Sequence, residues 1–158
     1  MKFVQTYNAT AHRLLAAAGR APELLYCSME DCESEYLGGL IMVVMGYLDG
    51  KTAQKRYKGK GLLPRAFEQV EKVVLTLHGE DIVFGDLCLP NIVVMDEGKV
   101  MLIDFDWCRR HGVGTYPVSL NDNRDEDKGI DWHPDVKTGG RMMKEHDFYR
   151  LSCLKLRS

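Results

Sequence analysis

The sequence predicts an α+β fold in a single domain of 158 residues, and three stretches carry that expectation. Residues 62–78 set Leu63, Phe67, Val70, Val73 or Val74, and Leu77 on one stripe at helical spacing, with Glu68, Glu71 and Lys72 outside it. Residues 91–95 and 99–105 are short apolar strands joined by Asp96-Glu97-Gly98, ordinary hairpin chemistry. Residues 39–48, GLIMVVMGYL, form the most hydrophobic strand of the chain and are expected to be buried.

Composition narrows the function classes. A hydrophobic content of 45%, a charged content of 28% and a net charge of -2 describe an ordinary globule with no basic excess for nucleic acid. The longest apolar run, residues 40–45, is far short of the roughly 20 residues that span a bilayer, so no membrane partner is expected. The first residues, MKFVQTYNATAH, lack the apolar core of a signal peptide. Five scattered cysteines, an odd number, read as reduced thiols of a cytoplasmic protein. Cys27 and Cys32 have a loose metal-ligand spacing, but no second pair completes the four ligands of a structural zinc site.

In chain order, Lys2-Phe3-Val4 is too short to assign. Residues 7–18 bring Ala11, Leu14, Leu15 and Ala18 to one helical face, and Gly19 is placed to end the helix. Pro22 blocks continuation, and residues 23–27 read as a strand. Glu30, Asp31, Glu33 and Glu35 make a solvated acidic loop. Gly50-Lys51-Thr52 invites a phosphate-loop reading, which fails because position 45 is Met45 and Gly46 misses the required spacing by one residue. Lys51, Lys55, Arg56, Lys58 and Lys60 read as an exposed basic face. Residues 107–140 are rich in Gly and Pro, poor in apolar periodicity, and read as a long loop. Residues 142–156 read as a closing helix, with Met143, Phe148, Leu151 and Leu154 or Lys155 along it.

The residues that suggest chemistry flank the hairpin. Asp86 and Asn91, five residues apart, precede it, and Asp104 and Asp106 close it. Singly, each is an ordinary turn former or strand end. Held at one rim, carboxylates and an amide supply the oxygen ligands that a hard cation takes.

The stretches F-G-D-L-x-x-x-N (84–91) and L-I-D-F-D-W (102–107), with His146-Asp147 further on, resemble the catalytic loop and metal turn of the protein-kinase-like superfamily. The resemblance is strongest to the compact kinase-like domains found in fungi. It implies a partial N-lobe and hinge over residues 1–50. A reduced, mainly helical C-lobe with the catalytic hairpin would follow over 51–158. It implies ATP and magnesium as cofactors and phosphoryl transfer to a hydroxyl acceptor, either protein Ser/Thr or a small molecule. Asp86 would then accept the acceptor's proton, Asn91 and Asp104 would hold magnesium, and Asp106 would reach the metal through water. Met45 falls on the hinge strand as a nucleotide contact, and Asp147 would brace the catalytic loop. Lys2 matches the strand lysine that grips ATP phosphates, or is an ordinary N-terminal lysine.

The departures from that pattern define an alternative. No glycine-rich loop precedes Lys2, which reads as N-terminal truncation, and residues 8–12 supply no carboxylate to pair with Lys2. Phe84 and Gly85 stand where protein kinases have His and Arg, Cys88 replaces a Lys, and Asp106 replaces a Gly. Gly85-Asp86-Leu87 is closer to the kinases of antibiotics or choline. The alternative is an inactive pseudokinase, or a kinase fragment, acting as a binding module. A third reading is an unrelated α+β domain with a chance match.

Overall fold

The computed structural model describes residues 1–31, 38–120 and 131–156; Cys32, Glu33 and Glu35 lie outside them. The fold is mixed α and β. Its elements are β1 Lys2–Val4, α1 Ala9–Ala17, β2 Leu24–Cys27, β3 Ile41–Met45, β4 Gly50–Thr52, α2 Ala53–Arg56, α3 Pro64–Gly79, β5 Ile82–Val83, β6 Ile92–Met95, β7 Val100–Leu102, β8 Arg109–Arg110 and α4 Lys144–Cys153.

The first layer is an antiparallel sheet of order β1-β3-β2. Lys2-Phe3-Val4, too short to assign from sequence, becomes a strand because β3 pairs with it, Lys2 opposite Val43 and Val4 opposite Ile41. Helix α1 buries Ala11, His12 and Leu15 and packs against β2. Asn8 caps its start by accepting from the Ala11 amide at 2.9 Å. Gly19 ends it at φ 68, with the Arg20 amide reaching back to Leu15 O at 2.7 Å.

Strand β3 corrects the expectation of a buried strand: Val43 alone in it is fully covered. Alternate residues point to opposite faces. Ile41, Val43 and Met45 turn toward the core, while Met42 and Val44 share the other face with half-exposed Phe3.

The second layer is the β4-β6-β7 sheet. Gly50-Lys51-Thr52, rejected above as a phosphate loop, is strand β4, with Lys51 opposite Val94. A Cβ at Gly50 would stand 2.8 Å from Val93 Cγ1, so only glycine fits this pairing. Of the basic residues that follow, Arg56 pairs with Asp96 at 3.4 Å and the lysines are exposed.

The hairpin forms as β6 and β7, with Ile92 opposite Leu102 and Val94 opposite Val100. Both strands are shorter than expected. Asn91 belongs to a 3₁₀ turn, Leu89–Asn91, and Asp104 adopts φ 70, where strand geometry cannot continue. The last rung is Ile103 N to Asn91 O at 3.0 Å.

Helix α3 buries Ala66, Val70, Val73, Val74, Leu77 and His78. The stripe is rotated from the one expected: Pro64 starts the helix, so Leu63 is its cap and is 46% exposed, while Ala66 faces inward. Helix α4 lies against α3 and buries His146, Asp147, Arg150 and Leu151.

Residues 107–120 and 131–142 are more ordered than a loop. Strand β8 pairs with β5, and Val83, Tyr116, Leu120, Trp132, Val136 and Met142 form a second apolar cluster. Among the described residues, no helix is long and apolar enough to cross a membrane.

Candidate functional site

The hairpin sets the positions of the polar residues at its open end. Pro90 sits in the 3₁₀ turn that delivers Asn91, 8% exposed, to the start of β6. Asn91 Nδ2 donates to Asp86 O and to Asp86 Oδ2, both at 2.9 Å. Both bonds use the nitrogen, so the amide oxygen remains the atom able to ligate a cation. Burial raises the Asp86 carboxyl above its ordinary range, against the lowering effect of the Asn91 bond.

Asp104 and Asp106 emerge from the turn after β7, and Lys2 reaches them from β1. Lys2 Nζ donates to Asp104 Oδ1 at 3.1 Å and also bonds Asp106 Oδ1. The Lys2 side chain is 27% exposed, and those of Asp104 and Asp106 are 40% and 25% exposed. Burial, with the Asp104 charge beside it, pushes the Asp106 carboxyl up to about 6 despite the Lys2 bond. The Asp106 backbone carbonyl is pinned by Thr6 Oγ1 at 2.8 Å and Arg109 Nη1 at 3.1 Å.

Between the two acids, Phe105 is fully buried. His12 stacks on it with centroids 4.6 Å apart, and Tyr7 and Phe84 meet it edge-on. His12 is held on both nitrogens, near Tyr7 OH at 2.6 Å and Pro22 O at 2.7 Å. Because Pro22 O can only accept, Nε2 carries the proton and Nδ1 accepts from Tyr7. Burial lowers the His12 pKa. Asn8 adds a second tie from α1: its amide donates to Phe105 O at 3.1 Å and its Nδ2 to Cys108 O at 3.3 Å. Helix α1 is therefore bolted to the acidic turn.

Beside residues 84–87, Asp147 is 1% exposed. Its Oδ2 accepts from Phe84 N at 2.8 Å and His78 Nε2 at 2.9 Å, and its Oδ1 from Gly85 N at 3.0 Å. Gly85 adopts φ 84, and a Cβ there would stand 2.1 Å from Met142 Cε. The positive φ calls for glycine, and a side chain there would also displace the Met142 terminal methyl. Arg150, one turn beyond Asp147 on α4, donates Nε to Leu87 O at 3.3 Å and Nη1 to Asp131 O at 2.8 Å. It lies over the Trp132 ring at 5.5 Å.

Of the residues singled out from sequence, Asp86 joins Asn91, Asp104 joins Asp106 through Lys2, and Asp147 lies beneath Asp86. Met45 stands apart, packed against the main core from β3. Sequence reasoning missed His12, His78 and Arg150. His78 had a faint signal, directly following Leu77 at the end of the α3 stripe.

A cavity of about 430 Å³ opens beside Asp106, lined also by Thr6, Trp107, Arg109, Thr115 and Ser119. Asp86, Asn91 and Asp104 do not line it, so it flanks the acidic turn without enclosing it. Among the described residues no three His, Cys, Asp or Glu side chains are grouped to hold a metal. The oxygen donors at this end of the hairpin are the carboxylates of Asp86, Asp104 and Asp106 and the amide oxygen of Asn91. That set fits magnesium, which takes one or two carboxylates and completes its shell with water and phosphate. No protein-family model matches the chain, and no curated protein matches it.

Proposed function

We propose that the chain is a kinase-like domain that transfers a phosphoryl group from ATP, with magnesium, to a hydroxyl of a protein or a small molecule. One observation supports the reading above the others. Residues 2, 86, 91, 104 and 106 are scattered in sequence, yet Lys2 joins Asp104 to Asp106 and Asn91 joins Asp86, at the same end of one hairpin.

In this reading Asp86 orients the acceptor hydroxyl and takes its proton. Its raised pKa makes it a stronger base, and the Asn91 amide fixes its rotamer. Asn91 and Asp104 hold the metal, and Asp106 contacts it through water. Magnesium, when bound, supplies positive charge that offsets the charge on the transferring group. Lys2 answers the phosphates, while Met45, packed against the main core from β3, is left without a nucleotide contact in this reading. Asp147 touches no substrate; it holds the Phe84 and Gly85 amides so that Asp86 is presented in one geometry.

The experiment is a thermal-shift titration with ATP, with and without magnesium, on the wild type and Asp104→Ala. A ligand that binds the folded state alone adds about 2.7 kcal/mol at a hundredfold excess over Kd. The reading requires a magnesium-dependent rise in the wild type and none in Asp104→Ala; equal rises in both would remove the metal assignment.

A second reading, a nucleotide-binding module without transfer, is favoured by one feature. Helix α1 has no acidic residue to pair with Lys2, and the lysine is instead held by the two aspartates. Magnesium-dependent ATP binding with no turnover over a panel of hydroxyl acceptors would select it.

A further inference from the structure

The two carboxylates of the acidic turn share one ammonium, and that ammonium stands where their common ligand would stand. Lys2 Nζ is bonded to Oδ1 of Asp104 and Oδ1 of Asp106 at once. An ammonium has three donors and no lone pair, so it cannot share a ligand shell with a metal. A cation held by Asp104, with Asp106 reached through one of its waters, would have to enter the volume that Nζ fills.

We propose that Lys2 is the resting counter-ion of the Asp104–Asp106 pair and that a divalent cation displaces it, so that metal entry and release of the Lys2 ammonium are a single exchange. The inference rests on the metal reading of the acidic turn and adds to it a built-in competitor. Neither aspartate makes another ion pair among the described residues beyond Lys2, so its departure breaks no further ionic contact. The lysine stem is flexible and partly exposed, and the Tyr7 ring, with its centroid 5.2 Å from Nζ, offers the freed ammonium a second resting face. Once displaced, Lys2 presents an uncompensated positive charge beside the metal, where an anionic group of a nucleotide would meet it. The exchange thus links metal loading to readiness for phosphate.

The test uses the full chain without nucleotide and Mn²⁺ as the probe, with free Mn²⁺ counted by electron paramagnetic resonance. Lys2→Met, which keeps the stem length and removes the competitor, should bind Mn²⁺ at least tenfold more tightly than the wild type. Lys2→Arg should bind no more tightly than the wild type. Equal or weaker binding by Lys2→Met overturns the exchange while leaving the metal site standing. No Mn²⁺ binding by wild type or variant overturns the exchange and the metal reading together. A second measurement needs no variant: nitrogen-detected spectra of the lysine ammonium groups during a Mg²⁺ titration of the wild type. The Lys2 signal should move from a protected, paired position to a rapidly exchanging one. A Lys2 ammonium that stays protected at saturating Mg²⁺ overturns the proposal even where Lys2→Met is unfolded.

Discussion

Replacing Asp147 with asparagine should loosen the segment that presents Asp86, and the size of the effect can be worked from the contacts. Three N–H groups converge on its two oxygens: Phe84 N and His78 Nε2 on Oδ2, and Gly85 N on Oδ1. An asparagine side chain offers one acceptor oxygen and one donor nitrogen. With its oxygen in the place of Oδ2, Asp147→Asn keeps two bonds as neutral ones and turns an NH₂ group toward the Gly85 N–H. One charge-assisted bond is lost, about 1.5 to 3 kcal/mol, and two are weakened by about 1 kcal/mol each. The expected destabilisation is therefore about 3.5 to 5 kcal/mol, a large fraction of the roughly 5 to 15 kcal/mol that holds a domain folded. Urea unfolding gives the total, and amide hydrogen exchange at Phe84 and Gly85 assigns it to this segment. A loss under about 1 kcal/mol, with both amides as protected as in the wild type, would refute the claim that Asp147 braces the loop.

Three further perturbations test other joints. Gly85→Ala puts a Cβ 2.1 Å from Met142 Cε at a φ of 84; with left-handed strain and overpacking together it should lose at least about 2 kcal/mol, and adding Met142→Ala should relieve the clash but not the strain. Asn8→Ala should cost about 1 kcal/mol for the lost helix cap and more for the Cys108 tether, whereas Asn8→Asp should restore the cap alone; urea midpoints separate the two. The Asp106 carboxyl has a folded pKa of about 6, raised above its ordinary value chiefly by burial, so its contribution to stability is fully present below the unfolded pKa and is lost as pH rises through about 6. Stability between pH 4 and 7 should fall by up to roughly 3 kcal/mol on this account, one pKa unit being about 1.4 kcal/mol, and Asp106→Asn should flatten that dependence in unfolding measurements across the range.

The parts of the fold legible in the sequence are those with a local period. Helix α3 and the β6–β7 hairpin are written in spacing and turn chemistry, and both form. Their edges were set by single residues acting against the pattern. Pro64 begins α3 and thereby exposes Leu63; Asp104 leaves the strand region and ends the hairpin at Leu102. Hydrophobicity misled at β3 because a strand can be apolar on both faces while one face alone meets the core. The order after Trp107 had no signal to read. Val83, Tyr116, Trp132, Val136 and Met142 meet as one cluster but are too widely spaced for any window to register.

The candidate site divides along the same line. Asp86 and Asn91 are five residues apart, and one turn suffices to bond them, so their spacing alone could suggest the contact. Lys2 is 102 residues from Asp104 and 104 from Asp106, and position 2 reads as any lysine until β1 pairs with β3. His78 is 69 residues from Asp147, and a histidine at a helix end reads as a surface residue until α4 brings a carboxylate against it. Charge balance explains why such distant partners are needed. Two neighbouring carboxylates sharing one ammonium retain a net negative charge, and burial of that charge costs free energy unless another cation or a proton offsets it. The hairpin supplies the acids, the strand that bears Lys2 brings the cation that partly balances them, and Asn8 at the head of α1 ties the turn through the Phe105 and Cys108 carbonyls. The site is thus assembled at the junction of the two layers, and the polar contacts across that junction link its geometry to the folding of the whole chain.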